Sequence, residues 1–271
     1  MNALVLAGKE FDDAIRSRSL LALTVVFVGA LAAVTVGYAL VTPRPRVATL
    51  LVYVVSLTKW LVPVAALVAG YDAVVGEREG RTLRLLFGLP YSRAEILIGK
   101  AVGRFAAVVA PVTVGLVVSF GCSLVLYRQA VPGRYLVVIL AATLLAAAFV
   151  SLAVAASALG RSAVRVVAGV VGAFVLFLFL WDIVPATAYF LATGAVPGAH
   201  APPPWYFLLS RLNPVESFLA VVTAWLPTMA PPAVAGRAVY LSGSAAVALL
   251  VGWAVVPLGL AYARFRAADL A

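Results

Sequence analysis

Residues 135–159 read YLVVILAATLLAAAFVSLAVAASAL, twenty-five residues without one charge. About 20 apolar residues in helical form cross the roughly 30 Å hydrocarbon core of a bilayer, so this run is long enough to span it. It is built from Ala, Leu and Val without period-2 alternation, which fits a membrane helix and not a strand of a membrane barrel. The pattern recurs on either side of it. Apolar runs at about 19–41, 47–70, 101–126, 165–191 and 238–262 alternate with short charged stretches. Across 271 residues, 65% are hydrophobic and 11% charged, and mean hydropathy is +1.11. Soluble domains hold about 45–50% apolar and about 25% charged residues. The expected fold class is therefore all-α, a polytopic membrane protein of six transmembrane helices in one domain over residues 1–271.

Net charge is +10. Lys and Arg at the ends of spans orient them in the bilayer, so the excess needs no nucleic-acid partner. Thirteen of the twenty basic residues fall at the N-terminus, in 71–104, in the fourth-to-fifth loop and in the C-terminal tail, against six on the opposite side. That asymmetry puts both termini in the cytoplasm of a multi-pass plasma-membrane protein. Residues 1–18 form an amphipathic helix at the membrane interface, with Leu4, Ala7, Phe11, Ala14 and Ile15 on one face. Their acidic residues and the late start of the first run do not fit a cleavable signal. A lone Cys122 excludes an intrachain disulfide. No metal site, cofactor motif or phosphate-binding loop is present in the sequence, and the lone His200 has no assigned role.

The stretch 76–100 reads GEREGRTLRLLFGLPYSRAEILIGK. Thr82 caps a short helix that Gly88 and Pro90 end, and Ser92 with Glu95 forms a capping-box pattern opening the helix that runs into the third span. Leu83, Leu85, Leu86 and Phe87 make an apolar ridge rimmed by Arg78, Arg81, Arg84 and Arg93. Such a ridge suits a docking surface for a cytoplasmic partner. A solvated loop packed on lipid headgroups fits the same residues.

This stretch resembles the signature of ABC-2 type transporter permeases, in particular the branch similar to nitrous-oxide-reductase maturation permeases. Glu77, Glu79, Thr82, Leu83, Leu85, Leu86, Pro90, Ser92, Arg93, Gly99 and Lys100 match it. Arg81 stands where the family usually has Gly, with Gly80 one residue early. The resemblance implies an N-terminal elbow helix, a cytoplasmic coupling helix within 71–100, and a larger external segment, 192–237, before the last span. It also implies a permease subunit of an ATP-binding cassette exporter, not an enzyme by itself. A separate ATPase subunit would drive it through Glu77, Glu79, Thr82, Leu83, Leu86, Pro90, Ser92, Arg93 and Lys100, and a homodimer or a paired homologous permease would enclose the path. A membrane scaffold or assembly factor without transport would also use a docking ridge. An intramembrane enzyme would need clustered His, Glu or Asp within spans, which the sequence lacks.

Two charges stand out within the apolar runs. Lys59 is near the middle of the second span and Asp182 is in the outer half of the fifth. A centred Lys costs about 2.5–3.5 kcal/mol on insertion scales, so it faces the bundle interior or a partner. A pair on a substrate path, a structural pair and a Lys snorkelling to the interface all fit the residues. The external segment holds two apolar pieces, 205–212 and 215–226, broken by Asn213-Pro214 and each too short to cross. They fit either re-entrant helices or an amphipathic cap on the outer leaflet.

Overall fold

The computed structural model describes residues 8, 18–71, 73–75, 92–129, 131–160, 162–197, 202–226 and 239–267. The elbow helix expected over 1–18 and most of the coupling segment, including Glu77, Glu79, Thr82, Leu83, Leu86 and Pro90, lie outside the described residues. Within them the chain is helical and shows no strand. The helices are α1 (Arg18–Val41), α2 (Val47–Gly70), α3 (Arg93–Tyr127), α4 (Pro132–Leu159), α5 (Ala163–Val175), α6 (Ile183–Thr193), α7 (Pro204–Arg211), α8 (Pro214–Trp225) and α9 (Gly243–Ala267). Six segments are long and apolar enough to cross a bilayer: Leu20–Val41, Val47–Gly70, Ala94–Tyr127, Pro132–Leu159, Ala163–Leu180 and Gly243–Arg264. These are the six spans read from the sequence, and the chain is a multi-pass membrane protein.

α4 is the central post, in contact with α2, α3, α5, α8 and α9. Its buried surface is mainly Ala and Val, and Ala141, Ala142, Leu145, Ala146 and Phe149 are all inaccessible. In a bilayer the lipid tails are as apolar as Leu, so close van der Waals fit between small residues holds helices together. Gly70 shows the principle at the end of α2: a Cβ there would stand 2.6 Å from the Ala153 Cβ on α4. Gly115 does the same for α3, where a Cβ would meet the Phe27 backbone on α1 at 3.1 Å. Several polar groups in this packing are paired, while the buried Ser151 Oγ on α4 has no partner among the described residues. Thr35 and Ser119 hydroxyls share a 2.8 Å bond, and Tyr127 donates to the Thr35 carbonyl at 2.8 Å. Tyr127, the last residue of α3, is buried, and that bond holds it against α1. Trp225 keeps an exposed ring.

The third span begins earlier than its apolar run. α3 is one helix of 35 residues that opens at the Ser92 cap. Ser92 Oγ accepts from the Glu95 amide at 3.2 Å and Glu95 Oε2 accepts from the Ser92 amide at 2.9 Å, the reciprocal capping box read from the sequence. The 34 residues from Ala94 to Tyr127 span about 51 Å at 1.5 Å per residue. That exceeds the bilayer core by about 20 Å. Pro63, Pro111 and Pro257 sit inside α2, α3 and α9.

The fifth span departs from a regular helix. After α5, residues Leu176–Leu180 form a π-helical turn, and α6 follows from Ile183. The two apolar pieces of the segment before the last span are the helices α7 and α8, bent by 112° at their break. The break falls at Asn213-Pro214, as the sequence suggested. Asn213 caps α8 by accepting from the Val215 amide at 2.8 Å, with Pro214 in the first turn where no donor is needed.

Candidate functional site: a charged cavity and two anchored ends

Both ends of the stretch 76–91 are fixed into the bundle. On the entry side α2 ends at Gly70, and Ala73, Val74 and Val75 are buried. The Val74 and Val75 amides both donate to Ser157 Oγ on α4, at 2.9 and 3.0 Å. One hydroxyl thereby satisfies two backbone donors just past the helix end. On the exit side Ser92 caps α3, and Ile96, Leu97 and Lys100 are buried within one turn of one another. Of the residues assigned to coupling, Ser92 is exposed at the helix start, Arg93 is the first helical residue, and Lys100 is 1% exposed. Lys100 therefore holds α3 within the bundle and does not face outward.

Lys59 and Asp182 line one cavity of about 80 Å³. The sequence placed them on the second and fifth spans, and the fold brings them to the same space. Trp60, Phe177, Phe179 and Trp181 supply its aromatic wall, and Asn213, Val215 and Glu216 close it from the α7–α8 hairpin. Lys59 and Glu216 are half-buried, while Asp182 is exposed. The Lys59 ammonium sits 5.5 Å from the centre of the Trp60 ring, a cation–π distance. Among the described residues no ion pair of 4.0 Å or less joins Lys59 to either carboxylate.

The cavity wall is held by polar bonds to backbone carbonyls. A π-helical turn disturbs the regular carbonyl ladder of a helix, so a side chain can take a carbonyl there. Asn213 Nδ2 donates to the Phe177 carbonyl at 2.6 Å. Trp181 Nε1 donates to the Leu209 carbonyl at 3.1 Å, and Trp253 Nε1 to that of Leu212 at 2.8 Å. Ser217 Oγ donates to the Arg211 carbonyl. The last carbonyls of α7, orphaned by the bend, are thus taken up by side chains of α8, α9 and the fifth span. The Phe177 ring packs edge-on against Phe149 and Trp253, at 6.1 and 5.3 Å between centroids. The hairpin and the π turn are therefore strapped together as one wall of the cavity, facing α2.

Glu216 and the π turn are the parts that sequence reading missed. Glu216 lies in a proline-rich segment where a carboxylate is unremarked. The pattern Asn213-Pro214-Val215-Glu216, a cap with an acid at the third helical position, was the available signal that it starts a helix. No equivalent signal marks the π turn, because LFLFL carries no period that distinguishes it from an α-helix.

The family that the sequence resembles agrees with the comparisons. Residues 4–270 match the ABC-2 family transporter protein family. The chain is 31% identical to a probable ABC transporter permease protein, NosY, of Pseudomonas aeruginosa, over 96% of each chain. It is 29% identical to the protein of the same description from Stutzerimonas stutzeri, again over 96% of each. With nearly the whole length matched and six spans in place, the chain belongs to the ABC-2 family of transporter permeases.

Proposed function

We propose that this chain is the membrane half of an ATP-binding cassette exporter of the plasma membrane. In this reading a separate ATPase subunit docks from the cytoplasm on Glu77, Glu79, Thr82, Leu83, Leu86, Pro90, Ser92 and Arg93. The observation that carries it is the fixing of both ends of that stretch: Ser157 holds the entry at Val74 and Val75, and the Ser92–Glu95 capping box opens the exit helix. A force applied between those ends passes into α2 and α3 without being lost in slack backbone. α3 also exceeds the bilayer core by about 20 Å, which supports a position for the docking stretch away from the membrane surface. Closure of two ATPase subunits would draw two such levers together and rock the paired bundles.

A second permease protomer, identical or homologous, completes the assembly. This is supported by Asp182, a carboxylate exposed on the protomer surface at the end of an apolar span. A charge left against lipid is costly, and a partner or a water-filled path beside it removes that cost. The residues of the cavity, Lys59 with Asp182 first, then line or gate the path between protomers.

Purification of the chain in mild detergent from its native membranes tests the reading. An ATPase subunit is expected to co-purify, and Leu86→Asp is expected to abolish that association while the variant still inserts in the membrane. Co-purification of an ATPase that Leu86→Asp leaves unchanged would remove the coupling assignment. Absence of any ATPase would favour a scaffold that does not transport.

A further inference from the structure

Lys59, Asp182 and Glu216 stand on three elements around one cavity, and there are two carboxylates for one ammonium. Glu216 lies within electrostatic reach of both Lys59 and Asp182. Lys59 is closed onto neither; its ammonium rests over the Trp60 ring, on a long flexible stem that can swing. When it is left unpaired, Glu216 has a second support in the first turn of α8, where the positive end of the helix dipole favours an anion, while Asp182 is exposed. The two carboxylates also belong to one wall, since Asn213 and Trp181 strap the hairpin to the fifth span. Lys59 belongs to the facing helix, α2. It lies about 16 Å along that helix from Gly70, the end that leads into the anchored turn at Val74 and Val75.

We propose that Lys59 is the shared cation of a two-position lock, pairing with Asp182 in one arrangement of the bundle and with Glu216 in the other as α2 shifts against the strapped wall. A shift of one packed helix past another by a turn or less is the kind of discrete step that well-packed bundles allow. One ammonium between two carboxylates gives the step two paired end states of similar cost, with the Trp60 ring holding the Lys59 ammonium between them. The proposal deepens the permease reading, which supplies the force on α2. The lock itself can be tested on the chain alone.

The test is a thermal-unfolding cycle on the full chain in lipid nanodiscs. Asp182→Asn and Glu216→Gln each leave one partner for Lys59, so each midpoint is expected to stay within about 2 °C of the parent. The double variant strands Lys59 and is expected to lower the midpoint by about 6 °C or more. Adding Lys59→Met to the double variant is expected to restore most of that loss, which a general packing defect would not do. The lock is overturned if either single variant costs as much as the double, or if Lys59→Met gives no rescue.

A second measurement reads the step directly. In a Cys122→Ala background, Lys59→Cys is paired with Asp182→Cys or with Glu216→Cys, and disulfide yield is compared in membranes with and without vanadate-trapped ATPase subunit. The expected result is a reversal of which pair cross-links better. An unchanged ratio overturns the step. If no ATPase subunit associates, the permease reading fails while the unfolding cycle still decides the lock.

Discussion

Asn213 makes two bonds of different purpose with one side chain. Its Oδ1 caps α8, and its Nδ2 donates to the Phe177 carbonyl of the π turn. The site is 2% exposed, so neither bond can be replaced by water at no cost. Asn213→Leu is expected to cost about 2 kcal/mol, from the lost cap and the orphaned carbonyl. Asn213→Asp separates the two roles, since it keeps the capping oxygen and loses the donor. Its unfolding midpoint is expected to fall by about half as much as that of the Leu variant, because only the strap is lost. Recovery of the parent midpoint with Asp would show that the cap alone matters. Ser92 is the simpler case at this scale. Ser92→Ala removes one half of the capping box and is expected to cost about 1 kcal/mol. Hydrogen exchange at the first amides of α3 is the direct readout, with faster exchange in the Ala variant and parental rates in Ser92→Thr.

At the scale of elements, the spans were legible because an uncharged run of 25 residues has few other uses than crossing a bilayer. The break at Asn213-Pro214 was legible because the pair combines a capping side chain with a residue that has no amide to satisfy. The same logic located Lys59 and Asp182, since a charge in an apolar run must be accounted for wherever it falls. It failed at Glu216, where the surrounding composition made a charge look ordinary, and at Leu176–Leu180, where only the neighbouring hairpin reveals the extra residue in the turn. A π turn is an α-helix with one residue inserted. Deleting Leu180 is therefore expected to restore a regular helix through 176–181 while the flanking helices keep their register. The variant should still insert in the membrane, but the carbonyl that Asn213 uses returns to the helix. Its stability loss should then overlap with that of Asn213→Leu, so that the combination costs little more than either change alone. Full additivity in a double-mutant cycle would show that the π turn and the Asn213 strap are independent.

For the whole molecule, the α7–α8 hairpin decides where the C-terminus emerges. Counted as a span it would make seven, and the two termini would lie on opposite faces of the membrane; not counted, six spans return the chain to its starting side. Length argues against a seventh span. α7 has 8 residues and α8 has 12, which gives about 12 and 18 Å. Neither crosses a core of about 30 Å, and a bend of 112° folds them back on each other instead of adding their lengths. The backbone groups at the bend are taken by Trp181, Trp253, Asn213 and Ser217, which irregular backbone next to a bilayer needs. Charge points the same way. Arg264 and Arg266 follow the last span as Lys9, Arg16 and Arg18 precede the first, and cytoplasmic placement of both groups satisfies the positive-inside rule at once. Reporter fusions check this: a fluorescent protein that folds only in the cytoplasm is expected to be bright at either terminus, and alkaline phosphatase to be active when fused after Thr193, before the hairpin. A bright N-terminal fusion with a dark C-terminal one would make the hairpin a true span. In that case α2 and the strapped wall would face each other across a differently ordered bundle, and the lever leading from 76–91 to Lys59 would need to be redrawn.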